Sequence, residues 1–224
     1  MINMKSINNI IETVKLKVKS KYIKKTAFIR KRMIKNKNFT IISNNCWGGF
    51  VYQSYALKYN TPTIGLFFMA DDYLKFIESL DYYLSIDNID FIKPEESKWY
   101  NYLKSFSTFG TYPIAKIKDI EIFCLHYKSK EEFLKKWNKR KKRVNYEKII
   151  YKFSEMNLCD KSDIKKFQKL PLENKICFIS KKYKECTNDY TFIVSSDMKN
   201  QIKSTNEPIG NSLKVNINKI INKL

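Results

Sequence analysis

The segment Phe39-Thr-Ile-Ile-Ser-Asn-Asn-Cys-Trp-Gly-Gly-Phe50 constrains the fold most, because it reads as a buried strand running directly into a polar, glycine-ended turn that carries a cysteine. Ile41 and Ile42 suit a sheet interior. Ser43, Asn44 and Asn45 then place amide and hydroxyl groups at the strand's carboxyl end, the side on which open α/β sheets take their ligands. Cys46 stands at the tip. Gly48 and Gly49 permit backbone conformations closed to other residues, and Val51 to Tyr59 follows as a helix. Cys46 thereby faces a helix N-terminus, which favours a thiolate. The position equally suits a cysteine that only packs, since free cysteines are among the most buried residues.

The strand and helix patterns alternate along the rest of the chain. Thr61 to Met69 is an apolar run between Pro62 and Asp71 and reads as a second buried strand. Asp71 and Asp72 open a helix through Leu84, with Leu74, Ile77, Leu80 and Leu84 at helical spacing. Residues 85–112 read as a loop-rich region with short strands. Ala115 to Tyr127 alternates apolar and polar residues before turning wholly apolar, as one strand entering the core with His126 at its end. Lys130 to Arg143 reads as a charged helix whose buried face is Phe133, Leu134 and Trp137, closed by Asn145. Strands at 148–153 and 175–180 flank a short helix from Lys161 to Leu170, and the tail ends in a helix from Leu213 to Leu224. This alternation predicts an α/β fold: a three-layer domain over residues 39–224 with a mostly parallel or mixed central sheet.

A chain of 224 residues with 43% hydrophobic and 15% aromatic residues can bury a sizeable core, which excludes wholesale disorder. Its five cysteines are widely spaced with no C-x-x-C pair, against a disulfide framework or zinc knuckle and in favour of the reducing cytoplasm. No apolar run approaches the ~20 residues that span a bilayer, nor is there the apolar core of a secretory signal.

The formal charge of +21 predicts attraction to polyanions, although a Lys-, Asn- and Ile-rich composition typical of AT-rich genomes accounts for part of it. Residues 1–38 hold twelve Lys or Arg against one acid, Glu12. Ile7, Ile10, Ile11, Val14 and Val18 recur at helical spacing there, so this arm reads as basic amphipathic helix. Such an arm suits an anionic membrane surface at the inner face of the cell membrane. It equally suits docking on the domain with its lysines solvated. Nucleic acid is not expected as a partner, because no reading motif or aromatic-rich basic sheet accompanies the charge.

Two constellations carry chemistry. Cys46 and the sole histidine, His126, occupy predicted strand ends, and a Cys/His pair is the minimal nucleophile and base for group transfer. A lone histidine there also fits a hydrogen-bonded structural group. Arg140 and Arg143 lie three apart on one helical face, where their guanidinium forks can grip phosphate or carboxylate together. Lys139, Lys141 and Lys142 read as a solvated face. P-loop, G-x-G-x-x-G and H-E-x-x-H motifs are missing, as is metal-ligand spacing, so no metal is expected and no cofactor is specified.

Phe39-Thr-Ile-Ile-Ser-Asn-Asn-Cys-Trp-Gly-Gly49 with Lys58-Tyr-Asn-Thr-Pro-Thr-Ile64 resembles domain of unknown function family 1919. Asp119-Ile-Glu-Ile-Phe-Cys-Leu-His-Tyr127, then Glu131-Glu132, Trp137, Arg140 and Arg143-Val-Asn145, resemble its second signature. The likeness covers about residues 20–185 and leaves Ser195, Ser196 and Asp197 unassigned. Members are bacterial and often labelled exopolysaccharide or capsule biosynthesis proteins, sometimes acyltransferases, on an α/β fold. The resemblance thus implies a transferase that modifies a surface polysaccharide or its activated sugar precursor. Cys46 would be nucleophile and His126 base, with Ser43, Asn44, Asn45 and the Gly48–Gly49 backbone contacting sugar or oxyanion. Arg140, Arg143 and Asn145 would complete the substrate site. The alternative is a non-catalytic glycan- or membrane-associated assembly factor in which Trp47 stacks on a pyranose.

Overall fold

The computed structural model describes residues 14, 17, 18, 21–209 and 215–224. Most of the arm's apolar stripe, from Ile7 to Ile11, lies outside them.

A four-stranded parallel sheet in the order β1-β5-β6-β7 forms the centre, from β1 (Thr40–Ser43), β5 (Ile149–Ser154), β6 (Lys175–Ser180) and β7 (Thr191–Ser195). Ile41 pairs with Ile150, and Phe153 with Cys177. Parallel strands buried on both faces read as continuous apolar runs, and β1 is buried at all four positions.

Alternation along each strand divides the core into two. Ile42, Phe153, Cys177 and Ile179 face one side, and Ile41, Ile150, Ile176 and Phe178 the other. The first side packs against α3 (Ala70–Glu78), α6 (Lys130–Lys141) and α7 (Lys161–Lys169) through Tyr73, Trp137 and Phe167. The second packs against α2 (Trp47–Ser54) and α8 (Ile217–Lys223) through Trp47, Val51, Tyr52 and Ile221. Three layers result, and the α/β expectation holds. Phe133 and Trp137 are buried as expected of that helix, which Ser129 caps by accepting a hydrogen bond from Glu132 N.

A second sheet, antiparallel in the order β2-β3-β4, comprises β2 (Asp90–Ile92), β3 (Ile114–Ile117) and β4 (Ile120–Phe123). The single strand expected over 115–127 is therefore a hairpin, reversed at Lys118–Asp119 with Lys118 at φ 56°. His126 falls three residues beyond β4.

The strand expected at Thr61–Met69 does not form. Pro62 lacks an N–H to donate and Gly65 turns the chain at φ 76°, so the run crosses the core with only Phe67 paired, to Phe123. The helix expected to reach Leu84 breaks at Ser79 (φ −132°, ψ 48°), where α4 (Leu80–Ser85) begins. Strand β7 was not anticipated, and neither was α5 (Tyr100–Leu103).

Within the arm, α1 (Ala27–Arg32) is held by Arg30, whose Nε donates to Ser54 O at 2.6 Å. Ala27 and Ile34 are buried, while Val18, Tyr22, Phe28, Ile29 and Met33 are exposed.

Candidate functional site

Cys46 stands at the carboxyl end of β1, as the sequence predicts, but it is itself the N-cap of α2, which runs from Trp47 to Ser54 and not over the expected Val51 to Tyr59. The helix starts at once, so Gly48 and Gly49 lie inside it and supply closeness rather than an unusual backbone conformation. A Cβ on Gly48 would stand 3.2 Å from Ile41 Cγ2. Cys46 is half-buried, and its Sγ donates weakly to Leu66 O at 3.9 Å. Burial pushes the thiol up to about 12, helped by the Glu207 carboxylate and opposed by the Lys152 ammonium. The helix terminus does not overcome that desolvation, so the resting thiol is neutral.

Next to Cys46 is a buried polar cluster that the sequence reading missed. Ile150, Lys152 and Ser154 share one face of β5 by the period of two. Lys152 Nζ, fully buried, donates to Glu207 Oε1 at 2.5 Å and to Asn45 Oδ1 at 2.8 Å. Its ammonium also lies 5.7 Å from the Trp47 ring centroid and 5.5 Å from that of Phe178. Burial pulls its pKa down and the Glu207 carboxylate resists. Glu207 further accepts from Asn45 Nδ2 (3.0 Å) and from Ser154 Oγ. The only signal in the sequence is a lysine amid the apolar residues of a strand buried on both faces.

The predicted substrate residues Ser43, Asn44 and Asn45 thus hold one another and this pair. Ser43 Oγ donates to Asn45 Oδ1 (3.2 Å), and Asn44 Nδ2 to Ser154 O (3.2 Å). Asn45 Oδ1 also caps α2 by accepting from Trp47 N at 3.1 Å. Trp47 is 1% exposed, packs edge-on against Phe178, and donates from Nε1 to Pro208 O at 2.6 Å. Its ring is a core element, not a free stacking surface.

Asn45 and Cys46 line a cleft of about 490 Å³ at the carboxyl edge of the sheet. Phe67, Tyr102, Phe106 and Tyr112 give it aromatic walls; Asn157 and Gln201 add amides. Its far wall, from Gln201 to Thr205, leads into the Glu207–Pro208 anchor.

His126 does not line this cleft and makes no hydrogen bond to Cys46. Its backbone N donates to Gly65 O at 2.9 Å, one residue from the carbonyl facing Cys46 Sγ. The Gly65–Leu66 backbone therefore contacts both. The His126 side chain is exposed, and partial desolvation of its ring lowers its pKa from 6.5.

Arg140 and Arg143 belong to a different cavity, of about 320 Å³. Asn145 lies at the opposite end of the sheet, where its N donates to Thr40 Oγ1 (2.8 Å) and its Nδ2 to Asn38 O (2.9 Å). It joins the α6 exit to β1 and does not reach Cys46. Among the described residues no group of His, Cys, Asp or Glu could hold a metal ion, and no helix is long and apolar enough to cross a membrane.

Fold and cleft together define an α/β protein with a four-stranded parallel sheet, a small antiparallel sheet and an open cleft at the carboxyl edge of the parallel one. The chain belongs to the family described as Domain of unknown function (DUF1919), whose profile matches residues 17–220. The match extends past the likeness expected from the motifs and takes in Glu207. An uncharacterized protein of Haemophilus influenzae is 28% identical over 190 residues, covering 83% of this chain and 84% of that protein.

Proposed function

We propose that the Cys46 cleft binds the sugar portion of a surface polysaccharide or of its activated precursor. The carrying observation is the lining: aromatic rings from Phe67, Tyr102, Phe106 and Tyr112 beside the amides of Asn157 and Gln201, at the sheet edge where α/β proteins take ligands. A pyranose offers an apolar C–H face to a ring and hydroxyls to amides. The volume of about 490 Å³ falls within the about 300–1,000 Å³ of small-molecule sites. The substrate class is the one that the resemblance in the motifs implies. A cytoplasmic site, with the basic arm near the acidic inner membrane face, accords with a precursor made there.

Group transfer through Cys46 is the second reading, favoured by the thiol's place in that cleft at a helix N-cap. It requires the ligand to bring or expose a base, because the resting thiol is neutral and His126 makes no hydrogen bond to it.

The test is calorimetric titration with activated sugar precursors, repeated on Tyr102→Ala and Cys46→Ser. Saturable binding that Tyr102→Ala weakens about tenfold supports the sugar site. No binding across a panel of precursors and capsule oligosaccharides rejects it. Turnover in wild type that Cys46→Ser abolishes, with binding kept, selects the transferase.

A further inference from the structure

The second cavity lies between the Leu57–Tyr59 stretch and α6 and has a one-sided charge. Lys58, Lys136, Lys139, Arg140 and Arg143 line it with no carboxylate among them. Lys136 is paired to Glu132 at 2.5 Å. Among the described residues no carboxylate pairs with Lys58, Lys139, Arg140 or Arg143.

The two arginines are positioned rather than free. Arg140 Nη1 donates to Tyr127 Oη at 2.7 Å, and its guanidinium lies 5.3 Å from the Tyr59 ring centroid. Arg143 Nη1 donates to Tyr59 O at 3.3 Å. Tyr127 Oη in turn donates to Ile64 O at 2.6 Å, so the Arg140 support runs back to the backbone beside the Cys46 cleft. Both guanidiniums are half-buried and keep their Nε and Nη2 donors without an acceptor among the described residues.

Like charges gathered around one concavity repel, and apart from Glu132 on Lys136 no carboxylate among the described residues offsets them. A monocarboxylate matches one guanidinium fork. Two forks three residues apart, ringed by lysines, match an anion with several oxygens and more than one charge. We propose that this cavity is a phosphoryl-binding site, taking a phosphate monoester or a diphosphate. Its oxygens are shared between Arg140 and Arg143, and Lys58 and Lys139 supply further charge. The inference stands apart from the sugar reading, since it rests on a different cavity. Ile64 and Leu66, whose carbonyls face the two sites, are two residues apart, a span of at most about 7 Å.

The experiment is titration of the full chain with inorganic pyrophosphate, then with a sugar 1-phosphate, at low and physiological salt. Saturable pyrophosphate binding should weaken at least about tenfold in Arg140→Gln and several-fold in Lys58→Ala/Lys139→Ala, while Lys24→Ala/Lys25→Ala, outside the cavity, leaves it unchanged. The lysine double variant removes exposed side chains only and carries the result if Arg140→Gln fails to fold. No saturable binding overturns the proposal, as does binding that weakens equally in the Lys24/Lys25 control. A sugar 1-phosphate that binds tighter than pyrophosphate, by a margin lost in Tyr102→Ala, identifies a sugar phosphate as the source. Equal affinity identifies free phosphate or diphosphate, and the site stands even if the cleft takes no sugar.

Discussion

Lys152 Nζ lies 2.5 Å from Glu207 Oε1 in an ion pair whose side chains are 0% and 2% exposed, joining the second strand of the parallel sheet to the far wall of the Cys46 cleft. Desolvation consumes most of the Coulomb gain of such a pair, so its value lies in position more than in net stability. Asn44, Asn45 and Ser154 supply the remaining hydrogen bonds that make the burial tolerable. The Gln201–Thr205 wall is thereby tied to the same strand that presents Lys152 beneath Trp47.

Removing one partner strands the other. Glu207→Ala leaves a buried ammonium with only amide acceptors and should cost about 3–5 kcal/mol in urea denaturation, whereas Lys152→Met/Glu207→Leu should cost much less than the two single changes together. Additive losses in that cycle would show that the two charges are not coupled.

The Cys46 thiol, pushed up to about 12 from an ordinary 9.0, should be a poor nucleophile in the resting protein. Three pKa units correspond to roughly a thousandfold less thiolate near neutral pH than an unperturbed thiol has. Iodoacetamide labelling followed by peptide mass spectrometry should find Cys46 nearly inert at pH 8, with the rate climbing only toward strongly alkaline pH. The same shift makes the protein less stable there: the folded state holds the proton longer, so stability falls as pH rises from 9 toward about 12. Fast labelling at pH 7 would contradict the desolvated environment.

The parallel strands were legible because burial on both faces leaves a mostly apolar run, as in Ile149–Phe153, broken only by Lys152, and Ile176–Ile179. The same rule failed at Thr61–Met69, where apolar character reports burial but Pro62 and Gly65 forbid pairing. Edge strand β7 carried its signal in Thr191-Phe-Ile-Val, yet it is mostly half-buried and less distinct. Cys46 was placed correctly at its strand-to-helix turn, since local chemistry alone sets that turn. The ion pair was not foreseeable, because Lys152 and Glu207 are 55 residues apart and a lone lysine inside an apolar strand does not say which carboxylate meets it. Separation of the two arginines from Cys46 is a matter of tertiary packing, which motif spacing does not encode.

His126, the only histidine, gives one unambiguous imidazole resonance for titration. Desolvation disfavours its charged form, so the midpoint should fall below 6.5. In linkage terms the unfolded chain then binds the proton more readily, and stability declines as pH drops from about 6.5 through the folded midpoint. If NMR placed the midpoint above 6.5, a carboxylate or other acceptor would have to face the ring.

Gly65 is where the two candidate sites meet. At φ 76° it occupies the left-handed region, and a Cβ there would lie 3.2 Å from His126 Cβ and 3.4 Å from the Tyr127 ring. Gly65→Ala therefore combines backbone strain of about 1–2 kcal/mol with a steric push on both neighbours. Tyr127 carries the hydrogen bond that positions Arg140, and the next carbonyl, of Leu66, faces Cys46 Sγ. The substitution should lower the midpoint of thermal unfolding by several degrees and also weaken pyrophosphate binding, although it touches no cation. Gly65→Ser should behave alike, because the strain depends on Cβ and not on polarity. Loss of stability with unchanged pyrophosphate affinity would show that Tyr127 does not transmit the shift to Arg140.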